Sequence, residues 1–110
     1  VFFTNLGEVQ FSLAVKNKDK ALLQKAHQNF QKAIGLDSEY ELAYLGLGKT
    51  FRMLGAFDYA IASLRKALDL NDKLDEALYV LGLSYLDKGD KKEALGAFTV
   101  YKQRYYDSLP

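Results

Sequence analysis

Apolar residues in this chain fall three and four positions apart rather than in alternation. Between positions 41 and 54 they stand at Leu42, Leu45, Leu47, Phe51 and Leu54, and after Gly55 a second run passes through Ala60, Ile61, Leu64, Ala67 and Leu68. Such spacing lines one face of a helix with apolar side chains, and the glycine between the runs reads as a turn. The segment therefore predicts helix, turn, helix. The pattern then returns: Leu47, Gly48, Gly55, Ala60 and Ala67 recur 34 positions later as Leu81, Gly82, Gly89, Ala94 and, less faithfully, Tyr101. Counting back by the same offset gives Leu13, Ala14, Ala26 and Ala33, with Phe30 standing 34 positions ahead of Leu64. Three units result, 7–40, 41–74 and 75–108. A period of this length marks an array in which no unit can bury its apolar face without a neighbour.

Six helices are predicted, over 5–17, 20–35, 39–53, 57–70, 73–87 and 91–106, separated within units by turns at 17–20, 54–57 and 88–90. Strand signals are missing, and the one proline is the last residue. Ser38 with Glu41, and Asp90 with Glu93, have the spacing of capping boxes at the starts of the second and third units. The recurring small residues predict close crossings, since interaxial distance follows side-chain size: Ala14, Gly48 and Gly82 should face Ala26, Ala60 and Ala94. The bulky positions, Leu13, Leu47 and Leu81 with Phe30, Leu64 and Phe98, should fill the space between successive hairpins.

Composition adds mainly exclusions. With 49% apolar and 26% charged residues in 110, the chain has the make-up of a folded globular domain. Its 15 basic and 14 acidic side chains nearly cancel, and the balance by unit is +1, +1 and −1, so no stretch has the basic bias that nucleic acid or an anionic membrane requires. Without cysteine there is no disulfide framework and no thiolate metal site. No apolar run reaches membrane-spanning length and no signal peptide is evident, which leaves a soluble protein of cytoplasmic or periplasmic location. A start at Val1 and a stop at Pro110 suggest a fragment of a longer protein.

Residues able to carry chemistry are few. His27, the one histidine, is replaced in the later units by Ile61 and Leu95, so it reads as a packing residue. The acids Asp75, Glu76, Asp87 and Asp90 sit at predicted helix ends, where carboxylates cap or complement the dipole, with no histidine beside them to complete an acid and base pair or a metal set. Glycines occur singly, without phosphate-binding spacing. The expectation is a noncatalytic protein with no cofactor and no metal.

Taken together, the second unit's Tyr44, Leu47, Gly48, Phe51, Ala60, Leu64 and Ala67 and the third unit's Leu78, Leu81, Gly82, Tyr85, Ala94 and Phe98 closely resemble the tetratricopeptide repeat. The first unit is degenerate, with Gln10 and Asn17 at the large and aromatic positions, and Asp72 replaces the proline that often closes a unit. The resemblance implies an all-α, right-handed solenoid of three hairpins acting as a protein-binding module, a scaffold or adaptor. It also implies that positions 2, 5, 9 and 12 of each unit face a concave groove. Those are Glu8, Phe11, Val15 and Lys18, then Leu42, Leu45, Lys49 and Arg52, then Glu76, Tyr79, Leu83 and Leu86. The candidate partner-binding residues are Phe11, Val15, Leu45, Lys49, Arg52, Tyr79 and Leu83, an apolar wall with a basic spot suited to a helix or peptide bearing apolar anchors and an acidic group. Family members that clamp a C-terminal carboxylate use lysine and asparagine where this chain has Phe11, Val15 and Gly46, so that activity is not expected. The alternatives are a self-associating or bracing module and, less favoured by the charge balance, an RNA-binding helical repeat. Tyr101, Tyr105 and Tyr106 crowd the last helix and could support a weak homodimer or cap the core themselves.

Overall fold

In a computed structural model that describes residues 1–107 and 109–110, six α-helices follow one another: α1 (Phe2–Asn17), α2 (Lys20–Leu36), α3 (Glu41–Met53), α4 (Phe57–Leu70), α5 (Asp75–Lys88) and α6 (Lys91–Asp107). Consecutive helices pair as hairpins, α1 with α2, α3 with α4 and α5 with α6. The hairpins stack through α2 on α3 and α4 on α5. Among the described residues there is no strand, and the architecture is an all-α helical repeat solenoid. Ser108, the final position of the third unit, lies outside the described residues.

Local chemistry explains where the helices stop. Gly55 and Gly89 take the left-handed conformation, φ 81° and 95°, just past α3 and α5, where a Cβ would be strained. The first unit turns three residues earlier in its repeat, and Lys18 occupies the left-handed position there with φ 54°. Asp19 then caps α2, accepting the Leu22 N–H at 3.1 Å. Between units the chain repeats itself: Asp37 (φ −146°, ψ 97°) ends α2 and Asn71 (φ −149°, ψ 96°) ends α4. Their side-chain oxygens accept the N–H of Glu39 at 3.0 Å and of Lys73 at 3.1 Å.

That arrangement corrects the expected capping box at Ser38. Helix α3 starts at Glu41 with Tyr40 at its N-cap and no side-chain cap bond, because Asp37 has already turned the loop; Ser38 contributes only its carbonyl, to the Tyr44 hydroxyl at 3.0 Å. At Asp90 half of the box forms. Its carboxylate accepts the Glu93 N–H at 3.2 Å, while its own N–H bonds the Tyr85 carbonyl at 2.9 Å and so is not left for Glu93.

Small residues do permit the close crossings, though the bulky residues are their nearest partners. A Cβ on Gly48 would lie 2.6 Å from Leu64 Cγ, and one on Gly82 would lie 2.6 Å from Phe98 Cε1. Ala26, Ala60 and Ala94 are buried beside them. Phe30 is wedged where three helices meet: its ring lies against Gly7 of α1 and Gly46 of α3, neither of which has room for a Cβ. The degenerate Gln10 is accommodated by a polar pair, accepting from Asn29 Nδ2 on α2 at 2.7 Å. Leu13 departs from its expected role between hairpins, being 44% exposed where Leu47 and Leu81 are 6% and 7%. Leu47 packs with Phe30 of α2, and Leu81 with Leu64 of α4, whereas none of the described helices covers Leu13 in this way. Phe98 is likewise only half-buried.

Candidate partner-binding wall

First helices stand side by side along one surface, α1 touching α3 and α3 touching α5. Each exposes there the residues that neither its hairpin partner nor the adjacent unit covers. Between α1 and α3 the wall sinks into a hollow of about 230 Å³ lined by Glu8, Phe11, Ser12, Leu42, Lys49 and Glu76, with Phe30, Leu45 and Gly46 at its base. Leu45 is 5% exposed and belongs to the core that also contains Leu64 and Leu81, so the floor is rigid. Lys49 crosses the rim. Its ammonium lies 5.2 Å from the Phe11 ring centroid and 2.9 Å from Glu76 Oε2 on α5.

The seven expected wall residues divide. Phe11, Leu45 and Lys49 share the hollow. Val15 lines a separate recess with Ala14, Leu23, Met53 and Leu54, rimmed by Lys18 and Lys20. Arg52 reaches from α3 to α5, its Nε 2.7 Å from Asp87 Oδ2. Tyr79 is 43% exposed, but its ring rests on α6, with centroids 5.7 Å from Phe98 and 5.1 Å from Tyr101. Leu83 is partly buried on α5. The basic spot is thus already neutralised: both cations hold carboxylates of the next unit, and an acidic ligand would have to displace Glu76 or Asp87. Glu8, by contrast, carries no ion-pair or hydrogen-bond partner among the described residues.

Sequence reasoning passed over Ser12, and it named Gly46 only as a missing carboxylate-clamp position. Both occupy position 6 of their units, one helical turn from position 2 and beside position 9 on the helix surface, so a stripe widened by one residue would have included them. At the far end Tyr101 packs onto Tyr79, and Tyr105 and Tyr106 meet edge to face with centroids 5.6 Å apart. His27 is partly buried, its ring edge to face with Phe51 at 5.0 Å, a packing position. Among the described residues no three His, Cys, Asp or Glu side chains cluster in a way that could hold a metal ion, and no helix is long and apolar enough to cross a membrane.

Models of the tetratricopeptide repeat match residues 42–74 and 76–108. The chain belongs to the tetratricopeptide repeat family. Both matches fall on the regular second and third units, and the degenerate first unit lies outside them. The BBSome complex member BBS4 of Bos taurus is 33% identical over 88 residues, 77% of this chain and 17% of that protein. A thermophilic TPR protein of Thermus thermophilus superposes with a TM-score of 0.86 at 27% identity, over 97% of this chain and 57% of its own. The type III secretion chaperone SycD of Yersinia enterocolitica, solved in complex with a peptide of the translocator YopD, superposes with a TM-score of 0.72 at 26% identity, over 87% of this chain and 73% of its own. The chain therefore spans under a fifth of the BBSome relative and rather more than half of the thermophilic one.

Proposed function

We propose that this chain is a noncatalytic protein-interaction module that seats an apolar segment of a partner protein, helical or extended, against the wall of first helices, with its main anchor in the hollow between α1 and α3. The observation that carries this reading is the hollow itself: an apolar side and base made by Phe11, Leu42, Leu45 and Phe30, edged by charged groups. A SycD structure holds a peptide on the same fold, which supports a peptide or helix as the ligand class. Burying one large apolar anchor contributes roughly 1.5 to 3 kcal/mol. Lys49 and Arg52 add less, because their charges are balanced within the wall; they set register more than affinity. Tyr79 supports the wall through α6 and contributes its exposed edge.

Peptides selected from a displayed random library on the intact chain provide the probe. Ser12 is exposed at the rim of the hollow, so Ser12→Tyr should obstruct the anchor without disturbing the core. Loss of the anchor should weaken the selected peptides by about tenfold or more, a tenfold change being about 1.4 kcal/mol, at unchanged melting temperature. Thr99→Tyr, exposed on α6, should leave affinity intact. Equal affinity for both variants would place the ligand elsewhere and defeat the reading.

A further inference from the structure

The two junctions between units use the same repeat positions and carry different chemistry. Between the second and third units two ion pairs bridge neighbouring first helices, Lys49 to Glu76 at 2.9 Å and Arg52 to Asp87 at 2.7 Å. One period earlier the corresponding pairs are Val15 with Leu42 and Lys18 with Met53. The first junction has thus exchanged one ion pair for an apolar pair and kept the cation of the other without its acid. A displaced turn opens space at that point. Helix α1 ends at Asn17 and α2 begins at Lys20, three residues earlier in the repeat than α4 at Phe57 and α6 at Lys91, so α1 stops short of the last residues of α3. A recess of about 310 Å³ lies there, inside the array, with Leu23, Met53 and Leu54 in its apolar lining and Lys18 and Lys20 at its rim. Neither lysine has an ion-pair partner among the described residues, and the carboxylate of Asp19 between them accepts the Leu22 N–H. Lys18 also holds the left-handed conformation, φ 54°, that glycine fills in the other two units, so a long cation stands at the rim against the preference of its backbone.

We infer that this recess is a second seat for the partner segment and takes an apolar side chain with a carboxylate beside it. An aspartate or glutamate of the ligand supplies Lys18 with the acid that Asp87 supplies to Arg52. The inference rests on the proposed reading for its ligand class, a segment of a partner protein lying on the wall of first helices. Val15 of the recess follows Phe11 of the hollow by four residues on α1, so the two share a face about 6 Å apart along the axis. That is about two residues of an extended ligand, at roughly 3.3 Å each, or one turn of a helical one. The apolar contact supplies most of the affinity, and the exposed lysines select the charge of the ligand.

Peptides selected from a displayed random library on the intact chain test this, each titrated calorimetrically beside a version with its acidic residue changed to glutamine. Lys18→Gly combined with Lys20→Gln removes both cations, and the glycine suits the backbone it enters. Met53→Asp is the second variant, giving Lys18 an internal acid at the repeat position of Asp87; circular dichroism verifies both folds. Selected peptides should carry an acid next to a large apolar residue, and losing the acid should weaken binding to the wild-type chain about threefold to fivefold, the size of an exposed ion pair, and less at high salt. On either variant the two versions of a peptide should bind alike, because the charge has lost its partner. Selected peptides without an acid, or an acid that counts equally on wild type and variants, would overturn the inference. Ser12→Tyr separates it from the reading it extends: peptides weakened by Ser12→Tyr yet indifferent to the lysine and Met53 changes keep the hollow and remove the recess, and the reverse pattern keeps the recess and removes the hollow.

Discussion

Four glycines in the middle of helices make a series in which the same substitution, to alanine, should change sign with its surroundings. In an exposed helix interior alanine is better than glycine by about 0.8 to 1 kcal/mol, and a Cβ at Gly96 of α6 would meet nothing within 4 Å. Gly96→Ala should therefore stabilise by about that amount. At Gly46 the same backbone gain is opposed by three ring atoms of Phe30 inside contact distance. Phe30 is 1% exposed and backed by Gly7, whose own Cβ would lie 2.9 Å from the ring, so the ring has nowhere to retreat. Overpacking of that kind costs about 1 to 3 kcal/mol, leaving a net loss of up to about 2. At Gly48 the obstacle is fully buried Leu64, whose Cγ and Cδ2 would lie 2.6 and 2.7 Å away, and the net loss should be similar. At Gly82 the obstacle is Phe98, only half-buried and freer to move than Phe30, so gain and cost should nearly cancel. Urea unfolding followed by circular dichroism reads the order from the midpoints, provided the slope is unchanged across the series. A Gly46→Ala midpoint that rises as Gly96→Ala does would refute the claim that Phe30 is locked.

Lys18 pays a conformational penalty that its counterparts Gly55 and Gly89 avoid, and Lys18→Gly should raise stability by about 0.5 to 1 kcal/mol, read from the same unfolding curves; no change would mean that α1 ends differently in solution. The hydrogen bond and charge of Asp58 raise the Lys88 pKa above its ordinary 10.5. A raised lysine stabilises the fold at pH below its unfolded value and loses that contribution as the pH climbs through the folded one. While Asp58 stays ionised, titration of Lys88 should accordingly leave stability flat around neutral pH, with its loss confined to the alkaline limb. Asp58→Asn should return the Lys88 titration, followed by NMR, to the ordinary value.

The array was legible in the chain because its evidence is redundant: a period of 34 seen at Leu47, Gly48, Ala60 and Leu64 is seen again at Leu81, Gly82, Ala94 and Phe98, and no single error can move it. Caps were less legible because they are local competitions. Asp37 and Ser38 are adjacent acceptors, and only the backbone direction at Asp37 decides which one meets an N–H. The wall lay between these cases. Helical spacing brought Phe11, Leu45 and Lys49 to one hollow, but it says nothing about what a long cation does with its end. Asp87 stands 35 residues after Arg52 and Glu76 stands 27 after Lys49. The first offset is one more than the period, so acids opposite basic residues on neighbouring first helices were the available signal.

Helix α3 shows why the wall offers a partner so little charge and so much shape. It is the one helix with neighbours on four sides, α1, α2, α4 and α5, and Ala43, Leu45, Gly46, Leu47, Gly48 and Thr50 are all buried. Even the Thr50 hydroxyl turns back to the Gly46 carbonyl at 2.8 Å, satisfying itself within the helix. What remains for a ligand is a strip carrying Leu42, Lys49 and Arg52, of which the two cations are held by α5. On the proposed reading selectivity comes from the depth and outline of the hollow, and Gly46 bears on both its base and the packing beneath it. Gly46 admits the Phe30 ring, which itself forms part of the base of the hollow. A side chain there would push on the core and reshape the base together, so fold stability and ligand fit are joined at one glycine, while the rim residue Ser12 tunes fit alone.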